Sequence, residues 1–304
     1  MKVGVNVLNF GAGAGPETLA GWAELAEELG YHLAMISDHV AVTPDVAERY
    51  PAPFYDPFLA LAWLGARTRR LELGTTVIVL PYRHPLAVAR LAANLDRLSG
   101  GRLILGVGAG WARQEFAALG LPFEHRGAMT DEYLEVIVRA WAEERLSYTG
   151  RFVAFRDVAT APPPVRRPPV WVGGSSPAAL RRAVRHGDGW HPIRFRLGWL
   201  RDEGLPALAA AARAAGRPVP ALCPRMKLRL TERPAPEQTR LCGEGSLGQI
   251  RGDLAALEAL GAAYVLLDTY DDDPRSAADP GPAWRWLRRL AAEVLDLPGE
   301  TLRR

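Results

Sequence analysis

Cysteine is nearly absent from this chain. Its 304 residues include only Cys223 and Cys242, far apart and without ligand spacing, which excludes a disulfide framework and a cysteine-held zinc site. Long hydrophobic runs are missing too. No apolar stretch approaches the roughly 20 residues that cross a bilayer, and the opening Met1-Lys-Val-Gly-Val-Asn reads as a strand, not as a charged leader with an apolar segment. Neither charge sign dominates: 37 Lys and Arg face 34 Asp and Glu, for a formal net charge of +3. The arginines are scattered, as in Arg181-Arg182 and Arg288-Arg289, without a basic arm interleaved with aromatics, so a nucleic-acid partner is not expected. No nucleophile elbow, metal-ligating cluster or catalytic cysteine stands out, which argues against hydrolysis and metal chemistry. The expectation is a reduced, cytoplasmic, soluble protein acting on a small molecule, with no membrane and no metal.

What is present is an alternation of short β-branched runs with longer amphipathic ones. Strands are predicted over Val3–Leu8, Leu33–Ser37, Leu71–Val79, Arg102–Val107, Val170–Val172, Gly189–His191, Arg225–Thr231 and Tyr264–Asp268. The helices between and after them are predicted over Pro16–Leu29, Asp56–Arg67, Pro85–Leu98, Thr130–Glu144, Ser176–His186, Leu197–Ala215, Leu247–Leu260 and Pro282–Leu295. Eight βα units imply a single-domain α/β fold, the (β/α)8 TIM barrel. An open doubly wound sheet is the alternative, and it lacks the Gly-x-Gly-x-x-Gly that should follow the first strand. One departure from the alternation, over about residues 146–169, reads as a hairpin around Thr149-Gly150 and then the proline-rich run Pro162–Pro169, an insertion that wraps the body.

In such a barrel every strand's C-terminal end opens on one mouth. Strand two delivers Ser37, Asp38 and His39, an imidazole beside a carboxylate, and Glu124-His125 is the only other acid–imidazole neighbour pair. Strand three delivers Thr76 and Val77. Strand four ends in Gly106-Val-Gly108-Ala-Gly110-Trp111, where missing side chains leave room for a flat group and Trp111 supplies an aromatic wall, unless the tryptophan is simply core. Strand five ends in Gly173-Gly174-Ser175 ahead of a helix, which suits a phosphate but also suits a plain helix cap. Asp188 and Trp190, around strand six, are candidates for lining that phosphate pocket or for closing a turn. Collected, these residues describe a planar ring at the mouth with its phosphate at a glycine turn and one acid–imidazole pair beside the ring.

At these positions the chain resembles the bacterial luciferase-like superfamily, in its branch of coenzyme F420 (5-deazaflavin) oxidoreductases. The carriers are Ser37-Asp-His-Val40, Leu73-Gly-Thr-Thr-Val77, Leu80-Pro-Tyr-Arg-His-Pro85, Leu98–Trp111, Arg126–Tyr133, Pro169–Ser176 and Gly187-Asp-Gly-Trp-His191. The resemblance implies a luciferase-like barrel with an insertion, homodimers, and a cofactor ring lying on a strand-three bulge with a non-proline cis peptide at Thr76-Val77. It places His39 beside the reacting carbon of the ring, Asp38 next to His39, and the cofactor phosphate at Gly173, Gly174 and Ser175. It implies hydride transfer between F420 and a small organic substrate. FMN with dioxygen, as in the monooxygenases, is the alternative. The glucose-6-phosphate dehydrogenase branch carries a glutamate after the strand-four glycines, where this chain has Trp111, so sugar-phosphate oxidation is not expected. Glu115, one helical turn on, is within reach of the site, but a surface face is the expectation. The Thr43–Tyr55 loop, with Tyr50, Phe54 and Tyr55, suggests an apolar, partly aromatic substrate pocket, or equally a core edge or a dimer contact, and the lack of an obvious Lys/Arg cluster for a second phosphate mildly favours an uncharged substrate.

Overall fold

The computed structural model describes residues 1–303. Eight parallel strands close into a barrel: β1 (Lys2–Val7), β2 (Leu33–Ile36), β3 (Glu72–Thr75, resuming at Ile78–Val79), β4 (Leu103–Gly108), β5 (Val170–Gly173), β6 (Gly189–His191), β7 (Ala221–Leu222 and Arg225–Lys227) and β8 (Tyr264–Asp268). Each strand pairs with its neighbours in this order. β8 pairs with β1 through Val3↔Val265 and Val5↔Leu267, which closes the ring. Eight helices cover the outside: α1 (Pro16–Leu29), α2 (Pro57–Arg67), α3 (Pro85–Leu98), α4 (Arg126–Ala142), α5 (Pro177–His186), α6 (Leu205–Ala215), α7 (Leu247–Ala259) and α8 (Gly281–Glu293).

Local chemistry sets the helix ends. Proline occupies the first turn of α1, α2, α3 and α5, where its missing N–H costs nothing. Asp56 accepts from Phe58 and Leu59 N–H at the start of α2, and Ser176 from Ala179 N–H at the start of α5. Gly30 and Gly216, at φ +87° and +60°, end α1 and α6 in the left-handed conformation that glycine adopts without cost.

The predicted order of elements holds, and strand three is broken at the expected bulge, where the Thr76-Val77 peptide is cis. Three differences of detail remain. Strand seven starts at Ala221, is interrupted at Pro224, which has no N–H to give the ladder, and leaves the barrel after Lys227. The helix expected at Thr130 begins at Arg126, because it runs straight on from a short 3-10 turn over Phe123–His125. The stretch expected as one helix over Leu197–Ala215 contains a π-turn at Leu200–Gly204 before α6. The insertion is the expected antiparallel hairpin, Leu146–Thr149 with Ala154–Val158, and its proline-rich tail is pinned to the body. Buried Asp96 of α3 accepts from Val165 and Arg166 N–H at 2.8 and 3.2 Å.

Two apolar layers hold the barrel. Leu33, Met35, Ile104, Trp171, Cys223 and Leu266 fill the bore toward the N-terminal ends of the strands, and a larger cluster lies between strands and helices. Above the inner layer the bore turns polar, with buried Asn6, His191, Arg225, Lys227 and Asp268. No helix among the described residues is long and apolar enough to cross a membrane.

Glycines make room for the β3 bulge. A Cβ on Gly106 would lie 1.8 Å from the Thr75 carbonyl oxygen, and one on Gly108 would lie 2.7 Å from Val77 Cγ2. The first obstacle is backbone and cannot rotate away. Gly106→Ala should therefore destabilise by about 3 kcal/mol, at the upper end for an overpacked core. Gly252→Ala, on an open helix surface with nothing near the added carbon, should change stability by no more than about 1 kcal/mol and in the stabilising direction. Denaturant unfolding of the two variants checks this, and equal stability would contradict it.

Candidate functional site

The barrel mouth holds a cavity of about 420 Å³ at the C-terminal ends of β2 to β7. Ser37, Asp38, His39, Thr76, Val77, Gly108, Gly110, Trp111, Gly173 and Gly174 all border it. The loops that were expected to converge are therefore brought together, but the partnerships within them differ from the expectation.

Asp38 is not the acid that holds His39. Its carboxylate makes a bidentate pair with Arg83, at 2.7 and 2.9 Å, and accepts from Val79 N–H at 3.0 Å. Burial pushes this carboxyl up from its usual range, against the pull of the Arg83 guanidinium. Arg83 also reaches Asp56 at 2.9 Å, so the β3–α3 segment braces the end of β2 and the start of α2. Successive residues of an extended chain point to opposite sides, which is why neighbours in sequence are separated here.

The acid facing His39 is Glu115, which is fully buried in the short helix Arg113–Ala118 and does not lie on a surface face. Its Oε2 lies 2.6 Å from His39 Nδ1 and accepts from the Tyr82 hydroxyl at 2.8 Å. Its Oε1 accepts from Val40 and Ala41 N–H at 2.6 and 3.0 Å. Burial alone would raise the Glu115 carboxyl, but the hydrogen bonds from His39, Ala41 N–H and Tyr82 hold it below its ordinary value. An ionised carboxylate at Nδ1 requires a proton there and fixes the tautomer, leaving Nε2 as the nitrogen available to the cavity. Around the imidazole stand Tyr50, Phe54 and Trp111, with ring centroids at 5.4, 5.3 and 5.7 Å, and the Arg49 guanidinium lies over Trp111.

A second buried network holds the bulge from below. Arg225 donates to the Thr76 carbonyl at 2.8 Å and to Asp268 at 3.0 Å, and Lys227 and Asn6 also pair with Asp268. Burial would raise Asp268, yet Arg225 and Lys227 hold it below the usual range. Burial pushes His191 down to about 4, so its ring is neutral. The neutral ring donates from Nδ1 to the Cys223 carbonyl and accepts at Nε2 from the Thr76 hydroxyl at 2.9 Å. Thr76 is thus gripped at both its carbonyl and its side chain.

At the far end, Gly173 and Gly174 form the turn before α5. Gly174 has φ +100°, and a Cβ there would crowd Ala179 at 3.1 Å. Both serines are exposed, and Ser176, not Ser175, borders the cavity. Asp188 is not at the mouth. It precedes β6 at the strand's N-terminal end, where it accepts from Arg167 and Val170 N–H. Trp190 is buried against the turn and donates to the Gly174 carbonyl at 2.8 Å.

Reasoning from sequence missed the cations. Arg49, Arg126, Arg182, Arg194 and Arg225 border the cavity although they are scattered along the chain. Three are neutralised, Arg182 by Asp131, Arg194 by Asp272 and Arg225 by Asp268. Arg49 and Arg126 lie over aromatic rings without a carboxylate partner among the described residues, so the rim carries uncompensated positive charge. Ser37 Oγ is buried and has no hydrogen-bond partner. A group with a polar edge and an anionic end fits this donor set: an unpaired hydroxyl beside His39, a bare glycine turn, and free guanidinium groups. Among the described residues no cluster of His, Cys, Asp and Glu could hold a metal.

Residues 1–234 match the family model described as luciferase-like monooxygenase. An F420-dependent glucose-6-phosphate dehydrogenase of Microbacterium testaceum is 35% identical over 208 residues, 67% of this chain and 60% of that protein. One from Beutenbergia cavernae is 36% identical over 210 residues, again 60% of its length. The match thus spans about three fifths of these curated relatives. Among solved structures, the coenzyme F420-dependent tetrahydromethanopterin reductase of Methanopyrus kandleri superposes with a TM-score of 0.74 at 17% identity, covering 99% of this chain and 100% of that one. A likeness at that identity shows the fold.

Proposed function

Because the chain belongs to the luciferase-like monooxygenase family, we propose that it is an oxidoreductase that binds coenzyme F420 and transfers a hydride between it and a small organic substrate. The observation that carries this reading is His39, its Nδ1 held by buried Glu115 and its Nε2 left to a cavity with a phosphate-type glycine turn. The names of the relatives at about 35% identity point the same way.

When bound, the deazaflavin supplies a carbon that accepts or gives up a hydride. The protein supplies the rest. Thr76, Val77, Gly108 and Gly110 form the floor for the ring. The N–H groups of the Gly173–Ser176 turn, with Arg126, take the phosphate. Moving a hydride to or from a substrate carbon requires a balancing proton on the neighbouring heteroatom. His39 Nε2 takes or gives that proton, while Glu115 stabilises the imidazolium formed when the proton is on the ring. Tyr50, Phe54 and Trp111 exclude water and favour an apolar or aromatic substrate. A glucose-6-phosphate substrate is not favoured, since Trp111 stands where that branch carries its glutamate and a tryptophan cannot exchange the proton.

FMN-dependent oxygenation is the second reading, favoured by the fold likeness to the oxygenating constituent of 3,6-diketocamphane monooxygenase, solved with FMN, at a TM-score of 0.75. Fluorescence titration with F420 and with FMN decides between them. Micromolar or tighter binding of F420 alone is expected, and tight FMN binding without F420 binding would overturn the proposal. His39→Ala should keep cofactor affinity within about threefold and lower turnover by about 100-fold or more, the range for loss of a general acid–base. Wild-type turnover in that variant removes His39 from the reaction.

We also infer a homodimer. Leu59 and Trp63 of α2 and Leu91 of the adjoining α3 are exposed apolar side chains, a face suited to a second copy of this chain. Sedimentation velocity should give twice the chain mass, and a monomer at micromolar concentration would refute the inference.

A further inference from the structure

A second and larger depression, about 780 Å³, runs along the outside of the barrel between α5 and α6. Its floor is alanine, including Ala207, Ala210, Ala211 and Ala214 of α6, which keeps the depression open. Four guanidinium groups line it, those of Arg181, Arg182, Arg185 and Arg217, against the single carboxylate of Asp131. Asp131 is already committed to Arg182 at 2.7 Å, and the one further acid nearby, Glu135, stands loosely at 3.7 Å from Arg185. Arg181 and Arg217 have no carboxylate partner among the described residues. The groove is therefore an anion channel by composition, in a chain whose overall charge is close to balanced.

The groove adjoins the mouth. Arg182 lines both the cavity and the groove, and Ser176 at the cavity edge is followed directly by Pro177 and Ala178 at the groove edge. The phosphate-type turn thus sits where the two spaces meet. A mononucleotide flavin ends at its phosphate and has nothing to extend further. Coenzyme F420 continues beyond its phosphate through a lactyl unit into a chain of glutamates, each adding a carboxylate.

We propose that this groove binds the oligoglutamate tail of the deazaflavin, with Arg181, Arg185 and Arg217 as the recognising cations; the proposal rests on the F420 reading above. Exposed ion pairs are individually weak and screened by salt, so the effect comes from several acting along one chain. The groove lies away from His39, so the tail adds affinity without taking part in the chemistry.

The test is a fluorescence titration of the full chain with two forms of the cofactor, one bearing several glutamates and one ending at the phospholactyl group. Wild type should bind the long form about tenfold more tightly at low salt, the size expected of a few exposed ion pairs together, and the gap should close at high ionic strength. A triple variant, Arg181→Glu, Arg185→Glu and Arg217→Glu, should lose the preference and keep its affinity for the short form. Equal wild-type affinity for both forms, or a preference that survives in the triple variant, overturns the groove assignment while leaving the F420 reading intact. Failure to bind either form overturns both. The three side chains are on the surface, and a single Arg217→Gln variant, expected to show a partial loss, guards against a folding defect in the triple variant.

Discussion

The site depends on one buried carboxylate. Glu115 accepts four hydrogen bonds, from His39, Val40, Ala41 and Tyr82, and in doing so ties the segments that follow β2, β3 and β4 to one point. A buried charge is costly unless fully hydrogen-bonded, so the fold tolerates Glu115 only with all these donors in place. That requirement makes the geometry at His39 reproducible. If any one of the three segments moved, an unsatisfied charge would be left in the interior.

The same logic recurs one layer down. Asp268 gathers Arg225, Lys227 and Asn6 in the bore, and Arg225 passes the constraint upward to the Thr76 carbonyl. Asp38 and Arg83 brace the adjoining strand end. These pairs are oriented by mutual satisfaction rather than by net attraction, and each fixes a backbone segment that borders the cavity. What they leave open is equally specific: Nε2 of His39, the Ser37 hydroxyl, the bare glycine turn and two guanidinium groups without a carboxylate partner among the described residues. A rigid charged interior thus surrounds a cavity whose own free groups are few and differ in kind, with a proton carrier at one end and anion donors at the other.

Much of this was legible in the sequence, and the failures have physical causes. Short β-branched runs alternating with longer period-3.6 segments located the eight strands and their helices, because the strands are buried on both faces and each helix has one buried stripe. His39 was found at a strand end, and the Thr76-Val77 bulge followed from the family resemblance. The role of Asp38 was misread because adjacency in an extended segment places side chains on opposite sides. Glu115 was assigned to a surface face, in preference to the site, because the six-residue helix that carries it is too short to show a periodicity, and its exposed neighbours Arg113 and Gln114 read as surface. Asp188 was placed at the mouth because β6 is only three residues long, so its two ends look alike in sequence. Ser175 and Ser176 are indistinguishable by composition, and only the helix start decides which of them caps. The arginines of the cavity come from five separated segments, and no local pattern unites them.

The most direct test of the account is Glu115→Gln, which preserves shape but removes the charge that fixes the His39 tautomer. Turnover and cofactor affinity should be measured together across pH, with melting temperature as a check on folding. The variant should fold and bind cofactor within about threefold of wild type, and kcat should fall by about 100-fold with an altered pH profile, the scale of a mispositioned general acid–base. Wild-type kcat with an unchanged pH profile in a folded, cofactor-binding variant would contradict it.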